Sequence, residues 1–291
     1  MTYAIFFALV SLAAAGCLDV TFRRFSLKER SRGMYVFGCG FVWLVLQLIY
    51  FTITDAPIRL DEVTILYGLL TGALLVSANI LLIESLTGLD VSLGSMIYRL
   101  NTIGVVVMSF MLLAEDVGFI KVLGIGIGVA AILILYKRAD DGDAVPIPIL
   151  FFVMAVAASA FRAIYGVASK VALEQGAAAE GLLVIAAISW IVGGFAYAAF
   201  REKRVRITGK KAAYAMVSGA LAFTVVNALI EALKNGEASV VVPIANLSFA
   251  VAMLLSVFLG MEQLSSRKYI AIGFAALSVF LMAQTALSPM R

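Results

Sequence analysis

Ten stretches of this sequence run for about twenty residues each with few charges, the length an α-helix needs to cross a hydrocarbon core about 30 Å thick. They fall at roughly 3–22, 33–53, 63–86, 91–113, 119–136, 148–170, 181–200, 212–234, 238–260 and 268–287. The connections are short, and only Thr87-Gly88-Leu89-Asp90 separates the third run from the fourth. No aqueous fold hides that much apolar surface. Of the 291 residues 63% are hydrophobic and 14% charged, against about 25% charged in soluble domains. The chain therefore reads as an all-α integral membrane protein with lipid as its solvent. Soluble enzymes, nucleic-acid binders and disordered scaffolds are excluded.

What the sequence lacks narrows the chemistry. It has no histidine, which removes imidazole acid–base catalysis and imidazole metal ligation. Its two cysteines, Cys17 and Cys39, lie in apolar runs and suggest no disulfide. Paired intramembrane aspartates and a Ser–Lys dyad are missing too, so no enzymatic centre, metal site or cofactor is expected. Leu12 to Cys17 faintly resembles a lipoprotein processing site, but no Lys or Arg precedes it, and the first span is expected to be retained.

Sliding the chain against itself by 147 residues aligns its two halves without gaps. Trp43 falls on Trp190, Tyr67 on Tyr214, Gly72 on Gly219, Ser92 on Ser239, Ser109 on Ser256, Glu115 on Glu262, Lys121 on Lys268 and Gly126 on Gly273. Leu82-Ile83-Glu84 falls on Leu229-Ile230-Glu231, and Leu100 on Leu247. Over positions 62–137, 17 of 76 pairs are identical, where the chain's own composition predicts about 8%. The expected organisation is two five-helix repeats, 1–144 and 148–291. An odd number of spans per repeat turns the second upside down relative to the first.

The charges agree with that inversion. Arg23, Arg24, Lys28, Arg30 and Arg32 lie between spans one and two, whereas the equivalent connection of the second repeat holds Lys170 with Glu174 and Glu180. Arg201, Lys203, Arg204, Arg206, Lys210 and Lys211 lie between spans seven and eight, whereas the first-repeat counterpart sets Arg59 against Asp55, Asp61 and Glu62. One membrane face collects fifteen Lys and Arg, including Lys137, Arg138, Arg267 and Lys268; the other collects five, namely Arg59, Lys121, Lys170, Lys234 and Arg291. The richer face is expected to be cytoplasmic. That puts loops 23–32, 137–138 and 201–211 inside and both termini outside an inner or plasma membrane. The net charge of +4 thus reports loop orientation, although anionic membrane lipids can meet the 201–211 run.

The end of each repeat carries a recognisable pattern. Met111-Leu112-Leu113-Ala114-Glu115 with Lys121 and Gly126, and Phe258-Leu259-Gly260-Met261-Glu262 with Lys268 and Gly273, resemble the repeat signature of the drug/metabolite transporter superfamily, EamA-like branch. Pro243 at the start of span nine and the basic residues Arg23 and Lys170 closing the first span of each repeat are similar to that family's pattern; Met96 stands where its fourth-span proline would be. The resemblance covers both halves. It implies a secondary transporter with a central cavity between the repeats, lined mainly by spans one, three, four, six, eight and nine. The family's substrates range over amino acids, nucleotide sugars, sugar phosphates, amphipathic drugs and lipid-linked sugars, so the resemblance chooses none of them.

Two charges sit where lipid is dry. Arg99 lies about 12 Å into span four and Arg162 about 20 Å into span six, too deep to reach water cheaply. Paired guanidiniums near the midplane suit a carboxylate or phosphate; the alternative is that each is neutralised by Glu84, Asp19 or helix-end carbonyls. Tyr98, Asn79, Asn101, Asn227, Asn246 and Ser248 are candidates to complete the polar pocket, with helix–helix hydrogen bonding as the competing role. Glu84, Glu231 and Asp19 are the carboxylates placed to carry a coupling proton. The competing roles are a solvated interfacial group or an ion-pair partner of a basic residue for the glutamates and, for Asp19, neutraliser of the nearby basic cluster. Trp43 and Trp190 read as packing residues. Gly68-x-x-x-Gly72 and Gly124-x-Gly126-x-Gly128 read as close-approach surfaces within a monomer or across a homodimer.

The expected function is movement of a small anionic or zwitterionic metabolite by alternating access, coupled to a proton or a counter-substrate. The alternative is a flippase for a lipid-linked polyprenyl-phosphate sugar, in which the same arginines meet the phosphate.

Overall fold

In lipid every backbone N–H and C=O must be satisfied within the chain, and apolar runs of this length do so as helices. The computed structural model describes residues 2–26, 31–85, 97–115, 118–134, 149–260 and 266–287, and among them the regular structure is helical throughout. The helices are α1 (Thr2–Ser26), α2 (Gly33–Ile53), α3 (Glu62–Ser85), α4 (Asn101–Leu113), α5 (Phe119–Ile134), α6 (Ile149–Glu174), α7 (Ala179–Tyr197), α8 (Gly209–Asn235), α9 (Ala238–Asn246), α10 (Ser248–Phe258) and α11 (Ser266–Leu287). Seven segments are long and apolar enough to cross a membrane, with Ala238–Phe258 counting as one; Ile97–Leu113, Phe119–Ile134 and Lys268–Gln284 are shorter apolar helices. All ten fall in the ten expected windows. Asp90, Ser92, Met96, Lys137, Arg138, Glu262 and Arg291, and residues 27–30 of loop 23–32, lie outside the described residues.

Two of the expected spans are interrupted, and at equivalent places. The fourth breaks at Leu100 and the ninth at Leu247, which are 147 positions apart. The local cause is the same at both. Leu100 N–H bonds to Ile97 O at 3.2 Å and Ile103 N–H to Leu100 O at 3.0 Å; Leu247 N–H bonds to Ile244 O at 3.1 Å and Ala250 N–H to Leu247 O at 3.0 Å. These are tight i→i−3 bonds, and the shift of Ala250 onto Leu247 frees the carbonyl of Asn246 from the helix ladder. The seventh span differs from a plain helix in another way, ending in a π-helical turn at Ala198–Glu202.

Packing is reciprocal between the halves. α1 lies on α8 and α3 on α6; α2 lies on α8 and α3 on α7; α1 meets α10 and α4 meets α6; α2 pairs with α7 and α5 with α11. Each contact has its counterpart when the halves are exchanged. With apolar lipid outside, helices associate through close packing rather than through exclusion of water, so small residues mark the seams. A Cβ at Gly72 would fall 2.3 Å from Ser189 Oγ, and one at Gly219 would fall 2.6 Å from Val42 Cβ. Ser189 and Val42 are themselves repeat counterparts. Trp43 and Trp190 meet edge to face, centroids 6.0 Å apart, as the packing role predicts. Gly124 and Gly128 approach Met282 and Ser278 of α11, so this glycine run serves a seam inside the chain. Large apolar side chains such as Phe6, Leu66, Phe110, Phe119 and Phe258 point outward, as they must if lipid covers them.

The ends of the helices meet across the halves as well. Just after α1, Ser31 Oγ and Arg32 N–H donate to the Glu202 carboxylate at 2.9 and 2.7 Å. Just after α6, Ala178 N–H donates to Thr64 Oγ1 in the first turn of α3 at 2.8 Å. Asp61 caps that turn, accepting from Thr64 N–H at 2.8 Å, and this backbone donor holds its carboxyl below the usual aspartate value.

Candidate functional site

The freed carbonyl at the ninth-span break is taken by a guanidinium. Arg99 Nη1 donates to Asn246 O at 2.9 Å and to Ser248 Oγ at 2.8 Å, while Nη2 pairs with Asp19 Oδ2 of α1. The Phe249 ring lies 5.6 Å from the guanidinium carbon. Arg99 therefore ties α1 and the two halves of the ninth span to the fourth. Asp19 pairs with Arg99, the structural role expected as the alternative for that arginine. The Asp19 side chain keeps 41% exposure against 15% for Arg99.

A second bond mirrors the first. Asn246 Nδ2 donates to Asn101 Oδ1 at 2.7 Å and to Thr102 Oγ1 at 3.0 Å. Arg99 is the counterpart of Asn246 and Ser248 of Asn101, so Arg99–Ser248 and Asn246–Asn101 are the same contact made once in each direction. Asn101 Nδ2 also returns to Tyr98 O at 2.6 Å. Asn101, Asn246 and Ser248 are buried, and their hydrogen bonds cross the seam between the halves.

Arg162 is placed differently. It lies halfway along α6 with its guanidinium carbon 5.0 Å from the Tyr165 ring centroid, and no ion pair or hydrogen bond reaches it among the described residues. Among those residues its donor fork is unused. Tyr98 lies within electrostatic reach of Arg162, Asp19 and Arg99, and Tyr165 within reach of Arg162 and Tyr98. The buried Tyr165 hydroxyl, one turn along α6, meets no hydrogen-bond partner among the described residues. Among the described residues the local chemistry is thus a cation without an anionic partner beside the buried Tyr165 ring, a donor fork suited to an oxyanion.

Four of the sequence candidates stand apart from this cluster. Asn79 Nδ2 folds back onto Leu75 O at 2.8 Å within its own helix. Asn227 exchanges bonds with Gln47, Nδ2 to Oε1 at 2.7 Å and Gln47 Nε2 to Oδ1 at 3.0 Å, and Trp43 Nε1 joins them at 3.2 Å. This is a helix–helix clasp between α2 and α8. Glu231 pairs with Lys234 at 2.6 Å on an exposed end of α8, the ion-pair role. Glu84 is half-buried near the end of α3.

Several residues the sequence reading did not place are prominent. The Glu115 carboxylate, 9% exposed, accepts Ala238 N–H at 2.7 Å, Ser239 N–H at 2.9 Å and the Ser239 hydroxyl. It caps α9 from the far end of the fourth span. Lys121, 4% exposed, pairs with Glu237 at 2.5 Å. Lys170 donates to Leu233 O at 2.9 Å, placing a cation on the last carbonyls of α8. The signal for Glu115 and Lys121 was present in their recurrence at 262 and 268; for Tyr165, Thr102 and Gln47 nothing in one sequence distinguished them from packing residues.

Comparison with known proteins agrees with this architecture. No curated protein sequence matches the chain. Twenty-nine solved chains do; one, described only as "Crystal structure of protein", superposes with a TM-score of 0.83 at 14% identity, covering 99% of this chain and 98% of its own, which is a likeness of fold. The model of the EamA-like transporter family matches twice, at residues 2–137 and 149–284, once in each half of the chain. The chain belongs to the EamA-like transporter family, whose members are membrane transporters of the drug/metabolite type.

Proposed function

We propose that this transporter carries a small anionic or zwitterionic metabolite by alternating access, with Arg162 as the group that holds its anion. The observation that carries this reading is the guanidinium halfway along α6, without an ion pair or hydrogen bond among the described residues, beside the buried Tyr165 ring. A charge at such depth costs about 2.5–3.5 kcal/mol even on lenient insertion scales, so it is tolerated where water or a ligand reaches it. Arg99, already bound to Asp19, Asn246 and Ser248, anchors the floor of the site and presents the exposed side of Asp19 to a cationic substrate group or a coupling proton.

The framework is ten spans in two inverted repeats. Its support is the meeting of helix ends: the segment after α1 joins the end of α7, whereas the segment after its counterpart α6 joins the start of α3. The reciprocal contacts place the two helix breaks at one seam, where rocking of one repeat against the other opens the site to alternate sides. The arginine-rich end of α7, from Arg201 to Arg206, is the cytoplasmic face on the positive-inside rule, and both termini then lie outside.

The test uses purified full-length protein in lipid nanodiscs, challenged with amino acids, dicarboxylates and sugar phosphates while its melting temperature is followed. A ligand at about 100 times its Kd adds about 2.7 kcal/mol. The expected result is that a ligand raising the melting temperature of the wild type leaves Arg162→Ala unmoved, and that its flux into proteoliposomes is lost in that variant. Flux of the identified anion unchanged in both Arg162→Ala and Arg99→Ala would overturn the proposal.

A further inference from the structure

We propose that Glu115, Ser239, Lys121 and Glu237 form a latch that holds the substrate path shut on one face of the membrane. The proposal rests on the alternating-access reading and adds to it the residues that govern one gate.

The latch joins the two parts that must separate. Glu115 follows α4, the first repeat's fourth span, after a left-handed turn at Ala114 with φ 49°. Its carboxylate leaves that repeat to bind the first residues of α9, the second repeat's ninth span, through Ala238 N–H, Ser239 N–H and the Ser239 hydroxyl. A carboxylate on an uncovered helix N-terminus meets both orphan amides and the positive end of the helix dipole. Lys121, at the start of α5, reaches Glu237 in the two-residue connection between α8 and α9. Both first-repeat groups are nearly sealed from water, which makes each contact worth most when closed and costly when half broken. The clasp also grips the first residues of α9, whose last residue, Asn246, carries the carbonyl held by Arg99, so release of this end frees the segment that carries the floor of the site.

The sequence repeats this set. Offset by 147 residues, Glu115 and Ser239 correspond to Glu262 and Ser92, and Lys121 and Glu237 to Lys268 and Asp90, an acid for an acid. A static helix cap needs one carboxylate. Retention of acid, hydroxyl, lysine and second acid in both copies is what a mechanism requires when each copy must close and release in turn.

The test reads accessibility, which a merely structural cap would not move. In full-length protein carrying Cys17→Ala and Cys39→Ala, Ser109→Cys is the reporter. Ser109 is fully buried on α4, six residues inward of Glu115, and its hydroxyl has no hydrogen-bond partner among the described residues. Labelling by a membrane-impermeant maleimide is followed from the latch face and from the opposite face of oriented vesicles. Loss of about 1.4 kcal/mol from the closed state speeds labelling from the latch face about tenfold. That is the expected result for Glu115→Gln, which keeps the shape and removes the charge, and for Lys121→Glu, which sets two acids together. The exchanged pair Lys121→Glu with Glu237→Lys restores slow labelling. Unchanged labelling in both single variants, or an exchanged pair that labels as fast as Lys121→Glu, overturns the latch. If the singles label faster from this face while labelling from the opposite face does not fall, the latch stands and alternating access fails.

Discussion

Replacing each intramembrane arginine by methionine tests whether the two play the different parts their surroundings assign them. Arg99→Met removes a charge-assisted ion pair and two hydrogen bonds, and leaves the Asp19 carboxylate without its cation, with a long bond from Ser248 Oγ at 3.4 Å. Breaking a fully buried pair costs about 3–5 kcal/mol. Asp19 is two-fifths exposed, so water recovers part of that, and about 2 kcal/mol is the expected loss. Arg162→Met removes a guanidinium whose described contact is one aromatic face, worth about 0.5–2 kcal/mol, while cancelling an insertion cost of about 2.5–3.5 kcal/mol. The net change is between about zero and a gain of 3 kcal/mol, the smaller value applying if water fills the site. At about 2–4 °C per kcal/mol for chains of this size, Arg99→Met melts roughly 4–8 °C below the wild type and Arg162→Met at or above it. The assay is thermal unfolding of purified full-length protein in nanodiscs without ligand. A loss of more than about 1 kcal/mol in Arg162→Met would mean that the guanidinium has a partner, and the division of roles would be refuted.

The seams and the surface turn give further expectations. Gly72→Leu and Gly219→Leu drive side chains into space already occupied within 3 Å and are expected to cost about 1–3 kcal/mol or more, whereas Gly126→Ala and Gly273→Ala, with nothing within 4 Å, leave the melting temperature unchanged; equal effects in the two sets would refute the packing account. The Asp61 carboxyl is depressed in the folded chain by Thr64 N–H, so its contribution is complete above the ordinary aspartate pKa and is lost as pH falls through the folded value. Asp61→Ala is therefore expected to lower the melting temperature at neutral pH and to flatten its decline in acid, and an unaltered acid limb would refute the capping role.

Hydrophobic run length located the helices, because a bilayer imposes one length and one backbone solution on every span. The break at Leu247 was not legible in the same way: an i→i−3 shift is a local change of hydrogen bonding that leaves the apolar pattern of 238–260 intact. Depth along a span identified Arg99 and Arg162, since any charge there must be explained. What distinguished them was a partner on another helix, Asp19, and a single sequence gives no rotation of α1 about its own axis. Rotation likewise decided the fate of the amides. Asn246 and Asn101 turn toward each other across the seam, whereas Asn227 faces Gln47 on α2 and Asn79 returns to its own helix. Glu115 carried a sequence signal that read as a motif and not as a contact, because the amides it caps belong to a segment more than a hundred residues away.

Arg99 donates to the carbonyl of Asn246, the residue that occupies its own place in the other copy. In an assembly of two identical subunits that position would face itself, and arginine there would set guanidinium against guanidinium. Fusing the copies into one polypeptide removes the constraint: one side can supply a cation and the other the acceptor that receives it. The polar centre of this molecule is therefore something that only unequal halves can build.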